Sequence, residues 1–288
     1  MSKGDTSEYG QTATAGQNGP VATVRRRRFW QSTTVQRIAL LILLLGSWEA
    51  SSGRLYDGFW VSRPSSIGAY LYTWILMGDF WRHFWATLSE VTIGYSLGAV
   101  AGLAVGLPLG RAEQLARVLD PFLLALNGIP RVALAPLFVI WFGIGILPKI
   151  ILVFTLVFFV VFYNTYAGVR YVEKRFIDIA WVMGADERAL FAKVILPAAL
   201  PFILLGLKLS IPYAVIGAII GEFIASSEGI GYKILVETSL YNTTGTMAGI
   251  FVLMILVVIL NSLLGWFEAR ALRWRPQTTS PGGDAQGL

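Results

Sequence analysis

Arg131, Lys208 and Glu222 stand inside long apolar stretches of this sequence, and Glu90 and Lys149 stand near the edges of two others. An ionisable side chain at membrane depth is costly, so such residues either pair with one another or face a polar route across the bilayer. The chemistry open to them is electrostatic: a path or a gate for a solute, with snorkelling or a structural ion pair as the competing roles. Bond-making chemistry has less to work with. There is no G-x-x-x-x-G-K-[ST] loop to cradle phosphates, the single histidine His83 cannot build a metal cluster, cysteine is absent, and no Ser/His/Asp set stands out. No catalytic residue, metal or cofactor is expected on this chain.

The elements that must position these residues follow from composition. The 288 residues are 55% hydrophobic and 14% charged, with mean hydropathy +0.63. A water-soluble globule so composed would expose far too much apolar surface, so an all-α polytopic membrane protein is expected. Uncharged runs cover Val91 to Gly110, Val132 to Pro148, Ile150 to Val169, Val194 to Leu207 and Thr238 to Phe267. With Ile38 to Trp48 lengthened by snorkelling Arg37 and Glu49, these runs predict about six transmembrane helices at about 20 residues each. Basic residues at Arg25 to Arg28, at Arg111 and Arg117, from Arg170 to Lys193, and at Arg270, Arg273 and Arg275 alternate with sparser connections, which places both termini in the cytoplasm. The net charge of +6 then reflects topology and anionic membrane lipid, with no nucleic acid required.

Residues 1–34 form a tail with a basic anchor, and 271–288 form a second tail; Met1 to Ala22 and Gln277 to Leu288 lack an apolar face and read as disordered. The membrane domain is residues 35–270. The run from Arg25 is read as a positive-inside anchor of an uncleaved helix rather than a twin-arginine export signal, because five further spans follow.

Gly94, Gly98, Gly102, Gly106 and Gly110 recur every fourth residue, which places them in one stripe along a helix and lets another backbone approach closely. The partner is either another span of this chain or a second copy.

The stretch from Asp178 to Pro197, DIAWVMGADERALFAKVILP, is charged and amphipathic between two hydrophobic runs. Ile177, Ala180, Val182 and Met183 give a first helix its apolar side, Gly184 supplies a turn, and Asp186 after Ala185 caps a helix over Glu187 to Leu196. Pro197 opens the next span. This elbow, within residues 172–196, is either a docking surface for something outside the bilayer or a purely structural connection. Farther along, Ser226 to Gly231 is too polar and glycine-rich for a lipid-facing helix, so it is expected to fold back as irregular backbone beside Glu222.

The spacing D-I-A-x-x-x-G-x9-V-x-L-P, carried by Asp178, Ile179, Ala180, Gly184, Val194, Leu196 and Pro197, resembles the E-A-A-x-x-x-G-x9-I-x-L-P loop of the permease subunits of ABC importers. Ile179 is bulkier than the family's middle alanine. Further similarity lies in His83 with Ala86-Thr87-Leu88, Asp120-Pro121, Ile129-Pro130, ALAPL from Ala133, IWFGIG from Ile140 with Lys149, Gly221-Glu222, and Gly229-Ile230-Gly231-Tyr232. These are similar to the branch importing nitrate, sulfonates, taurine, bicarbonate and some vitamin precursors, and they span roughly residues 35 to 270. Glu90 departs from the basic residue that relatives often carry there.

The resemblance implies a type I importer permease fold whose elbow docks on cytoplasmic ABC ATPase subunits. It also implies a second permease copy across the path and an extracytoplasmic solute-binding protein. ATP and Mg would reside on the ATPase partner. A sulfonate, taurine or a nitrate-like anion is the expected solute. Lys208 or Arg131 could favour an anion in the path unless Glu222 or Glu90 cancels their field. An ion-gradient-driven secondary transporter and a non-transporting assembly subunit are the alternatives; the first leaves the elbow unexplained, and the second has little use for Glu222 or the broken segment at Gly229 to Gly231.

Overall fold

A computed structural model of the chain describes residues 33–52 and 59–273. The expectations for Met1 to Ala22, Arg25 to Arg28, Arg275 and Gln277 to Leu288 lie outside the described residues. The chain divides between Ser47 and Trp48 into two units. Most of the first helix, α1 (Thr33–Ser51), belongs to the first unit, where the apolar run Leu40 to Leu45 forms its middle.

The second unit is built on three long helices, α3 (Asp79–Arg111), α6 (Ile146–Arg170) and α9 (Leu196–Ala225). Helix α2 (Pro64–Leu76) precedes them; between them lie α4 (Glu113–Gly128), α5 (Ala135–Phe142), α7 (Lys174–Val182) and α8 (Glu187–Leu190); α10 (Ile230–Ser239) and α11 (Thr243–Ala271) follow. Helix α6 lies between α3 and α9, and Val153, Val157, Val161, Ala214, Val215 and Ala218 are buried in the common core. β-Branched and alanine side chains suit these contacts, because α3 and α6 approach too closely for longer ones.

The glycine stripe explains that approach. A Cβ on Gly98 would sit 2.9 Å from the Phe154 carbonyl oxygen, and one on Gly102 would sit 2.9 Å from that of Phe158. Gly94, Gly106 and Gly110 meet Val153, Thr165 and Val169 of the same helix. Of the two partners open to the stripe, the seam is occupied by α6 of the same chain.

Four helical runs among the described residues are long and apolar enough to cross a membrane: Asp79–Arg111, Ile146–Arg170, Glu187–Ala225 and Thr243–Ala271. The run Val132 to Pro148 is not a straight span. Its helical part joins α4 as a pair, Glu113–Gly128 with Arg131–Phe142, bent by 70°. Pro130 causes the break, since it lacks an N–H and keeps Ile129 out of helical geometry at ψ 128°. The bent pair gives up to five spans, and α1 is the segment that the expectation of about six adds.

Two further boundaries differ from expectation. The helix starting at Glu187 does not end before Pro197: a π-helical stretch, Phe191–Ile195, carries it directly into α9. The widened turn accommodates a proline that sits in the first turn of α9, where its missing N–H is tolerated. In the glycine-rich segment only residues 226–229 are irregular, because α10 already begins at Ile230.

Beyond α10, Tyr241 adopts φ 55° and Asn242 accepts a hydrogen bond from the Gly245 N–H to cap α11. Glu237 gathers the Tyr70 hydroxyl at 2.7 Å, the Asn242 amide at 2.6 Å and the Lys233 ammonium at 2.9 Å. One carboxylate thereby fastens α2, α10 and the start of α11.

Candidate functional site: an elbow and a buried charge cluster

At one end of the three long helices lies the elbow. Gly184 takes φ +80°, a left-handed conformation that reverses the chain after α7 at little cost only for a residue without a Cβ. The Ala185 N–H closes the turn on the Ala180 carbonyl at 3.0 Å. Asp186 then caps α8, accepting from the Ala189 N–H at 2.7 Å. Ala180 and Leu190 are buried in a small apolar cluster with Val169, Ile195, Ala199 and Ile203, which seats the elbow on α6 and α9. Leu196 and Pro197 are half-buried where the elbow enters the span. Arg111, the last residue of α3, forms an ion pair with Glu187 and lies over the Phe191 ring.

The other face of the elbow is bare. Val182 is 89% exposed and Met183 80% exposed, with Ile179 and Trp181 also exposed and Asp178 at its side. Apolar side chains presented here form an exposed surface rather than part of the core. Ile179, where the family pattern has alanine, belongs to that surface.

At the opposite end of α3, α6 and α9 lies the cluster around Glu222. Lys149 of the cluster and Arg170 near the elbow are separated by about 32 Å along α6 at 1.5 Å per residue. Glu222 is buried near the end of α9, accepting from the Thr87 hydroxyl and from the Gly231 N–H, each at 2.5 Å. The Thr87 oxygen in turn accepts from the Ile230 N–H at 2.8 Å, and His83 Nδ1 accepts from the Gly229 N–H at 3.0 Å. A ring nitrogen that accepts carries no proton, so the ring proton sits on Nε2, 3.1 Å from Asp79.

Three successive amides at the start of α10 are therefore capped by side chains of α3 and α9. The amides of a first helical turn have no partner within their own helix, and a carboxylate there also complements the helix dipole. The close fit needs glycine at 229 and 231, since a Cβ at either would collide with the Glu222 carboxylate.

Lys149 completes the cluster. It forms an ion pair with Glu90 and donates to the Ser226 hydroxyl at 3.1 Å, and Glu90 is only 1% exposed. Glu90, placed near a span end in the sequence, lies well inside α3 because that helix begins at Asp79.

Of the ionisable residues expected to share a path, Glu90, Lys149 and Glu222 are brought into one cluster, while Lys208 and Arg131 lie apart from it. Lys208 is paired with Glu268 at 2.9 Å, Glu90 with Lys149, and Glu222 with backbone amides and Thr87. Arg131 sits at the break of the bent pair, where its guanidinium donates to the Asn127 carbonyl at 3.2 Å and side chain at 2.8 Å. Thr87, His83 and Glu237 were the residues whose roles sequence reasoning missed. The first two were legible only as part of a motif, because their partners Glu222, Gly229 and Ile230 lie 135 to 146 positions away.

A bundle of apolar helices closed by small residues, with an exposed cap-and-turn elbow at one end, defines a polytopic membrane protein. Comparison with known proteins makes this specific. The family model for the binding-protein-dependent transport system inner membrane component matches residues 94–273, and the chain belongs to that family. It is 31% identical over 252 residues to the protein named for aliphatic sulfonates transport, permease SsuC of Bacillus subtilis, covering 87% of this chain and 90% of the relative. It is 34% identical over 235 residues to the formylaminopyrimidine transport permease ThiX of Halalkalibacterium halodurans, covering 81% of this chain and 93% of the relative. The fold matches a chain of the MetNI methionine ABC transporter in an inward-facing form with TM-score 0.57 and 21% identity, covering 69% of this chain and 97% of that one.

The chain is thus a permease subunit of an ABC importer, with a type I permease fold, in a multi-pass inner-membrane location. It is not an enzyme; ATPase activity belongs to a separate partner.

Proposed function

We propose that this chain forms half of the path for a small sulfonate, taurine or nitrate-like anion, paired with a second copy of itself. ATP and Mg are held by cytoplasmic ATPase subunits, and an extracytoplasmic binding protein delivers the solute. The observation that carries this reading is the elbow. Its exposed residues Ile179, Val182 and Met183 are held by Gly184 at the root of a helical run that continues without interruption from Glu187 to Ala225. A partner that moves the elbow moves the whole run, and with it Glu222 at the far end.

Such a lever must be stiff. Moving a two-state equilibrium from one side decisively to the other takes about 5.5 kcal/mol of differential interaction, and a hinge between elbow and span would dissipate it. The helical run passes through Phe191–Ile195 with no loop between elbow and span, which supports such a connection. The orientation that fits puts the elbow in the cytoplasm, beside Arg170, Lys174 and Arg175, and the Glu222 cluster at the outer end. Glu222 then belongs to an outer gate, holding α10 against α3 and α9. An anionic solute is supported by the similarity to a permease named for aliphatic sulfonates.

The test is reconstitution of the chain with its ATPase and binding protein in proteoliposomes. ATP-dependent uptake of taurine, methanesulfonate or nitrate, with ATP hydrolysis stimulated by loaded binding protein, is expected. Uptake of riboflavin or a pyrimidine and of none of these anions would overturn the solute reading, and uptake without ATP would overturn the coupling.

A further inference from the structure

We infer that Arg131, with the Tyr163 hydroxyl beside it, is the point in the path where the oxyanion group of the solute is held. The inference rests on the anionic solute of the preceding reading.

Unlike Lys149 and Lys208, Arg131 has no carboxylate partner among the described residues. Lys149 and Lys208 are neutralised by Glu90 and Glu268. The depth of Arg131 makes this difference matter. Its guanidinium carbon lies 4.0 Å from the centre of the Phe159 ring, and Phe159 is near the middle of α6. At 1.5 Å per residue, Phe159 is about 20 Å from the Ile146 end of that helix and about 16 Å from Arg170. A lipid headgroup does not reach that depth, so lipid phosphate is not the missing anion.

The guanidinium is also fixed in orientation. One terminal nitrogen is engaged by the last carbonyls of α4 and by Asn127, and the Phe159 ring covers one face. Nε and the other terminal nitrogen make no hydrogen bond among the described residues, so each leaves a charged N–H donor open to an oxygen of a sulfonate or nitrate. Tyr163 lies one turn beyond Phe159 on α6 and interacts electrostatically with Arg131, and its hydroxyl is buried without a hydrogen-bond partner. A buried hydroxyl left unpaired beside an unneutralised cation provides a further donor for an anion.

A capping role for Arg131 toward α4 is the competing account, and the two separate by substitution. A glutamine in its place would be able to cap the carbonyls without charge, and a lysine would keep the charge on a single ammonium, so Arg131→Gln and Arg131→Lys are compared in the reconstituted transporter. With taurine and nitrate as probes, Arg131→Gln should lose at least about tenfold in uptake rate, Arg131→Lys should retain a clear part of it, and Tyr163→Phe should lose several-fold. Melting temperatures in detergent report whether the cap survives. Uptake of either anion by folded Arg131→Gln at the wild-type rate would overturn the inference, as would equal inactivity of the folded glutamine and lysine variants. Should Arg131→Gln fail to assemble, wild-type uptake by both Arg131→Lys and Tyr163→Phe would overturn it. Failure of the wild-type protein to import any anion would instead overturn the solute reading.

Discussion

Thr87 on α3 and Glu222 on α9 are 135 positions apart in sequence and joined by a hydrogen bond of 2.5 Å between buried side chains. Thr87 donates to the carboxylate while accepting from the Ile230 amide, so the hydroxyl relays α10 to α9. The bond lies at the far end of the same helical run that starts at the elbow. In an importer permease, this relay ties the position of α10 to the position of the lever.

Glu222→Gln tests that tie. The carboxylate uses separate oxygens for Thr87 and for the Gly231 amide, and glutamine offers only one acceptor oxygen. One buried donor is left facing an NH2 group, which costs about 1 to 3 kcal/mol. The expected result is a lowered melting temperature in detergent together with impaired uptake, while the ATPase still binds. Uptake indistinguishable from wild type across solute concentrations, at equal expression, would retire the gate assignment.

The Glu90 and Lys149 pair makes a different prediction. Both side chains are buried, so removing one partner strands the other charge, at a cost of about 3 to 5 kcal/mol. Lys149→Met should therefore lose stability heavily, and adding Glu90→Gln should recover a large part of it. Thermal inactivation in detergent measures both. Additive losses in the double variant would mean that the two residues do not depend on each other.

What was legible in the sequence was set by locality. The elbow lies within about twenty consecutive residues, so its turn glycine and its cap at Asp186 could be read from spacing, and Gly184 and Asp186 adopt those conformations. The apolar side read from Ile177, Ala180, Val182 and Met183 instead divides, with Ala180 in the core and Val182 and Met183 outward, because which face is covered depends on the neighbouring helices. The glycine stripe was visible for the same reason, although its partner helix was not. The bent span was obscured because an uncharged run carries no information about a break, and Pro130 ends one helix only where the tertiary fold accepts a sharp bend. The continuous run through Pro197 was misjudged because a widened turn can absorb a proline that ordinary helical register cannot. The pairing of Arg131, Lys208 and Glu90 depends on which helices adjoin, and no spacing rule contains that.

Gly98 and Gly102 yield a graded prediction. The atoms nearest to a would-be Cβ at both sites are carbonyl oxygens of α6, which cannot swing aside as a side chain does. Alanine should already cost about 1 kcal/mol or more, and leucine should cost more still or prevent assembly. Gly265 in α11, with nothing within 4 Å of a Cβ, serves as the control, and its alanine variant should be neutral or slightly stabilising. Equal melting temperatures for glycine, alanine and leucine at 98 would sink the close-contact account of the seam.

Gly184 separates backbone geometry from steric room. Nothing lies within 4 Å of a Cβ at this position, so a substituted side chain meets no obstacle; the obstacle is φ +80°, which a β-branched residue adopts at a cost of about 1 to 3 kcal/mol. Gly184→Val should relieve that strain by redirecting the chain between α7 and α8, displacing the exposed Val182 and Met183 from where an ATPase would meet them. Uptake and solute-stimulated ATP hydrolysis should both fall while membrane insertion and the amount of purified protein hold. Gly184→Asn should retain more coupling than Gly184→Val despite its greater polarity, because asparagine tolerates the left-handed region better. The measurement is ATP hydrolysis with and without loaded binding protein for the three proteins at matched ATPase content. If valine and asparagine couple as well as glycine, the turn at 184 does not set the docking surface, and the elbow's role in transmitting the motion would have to rest on other residues.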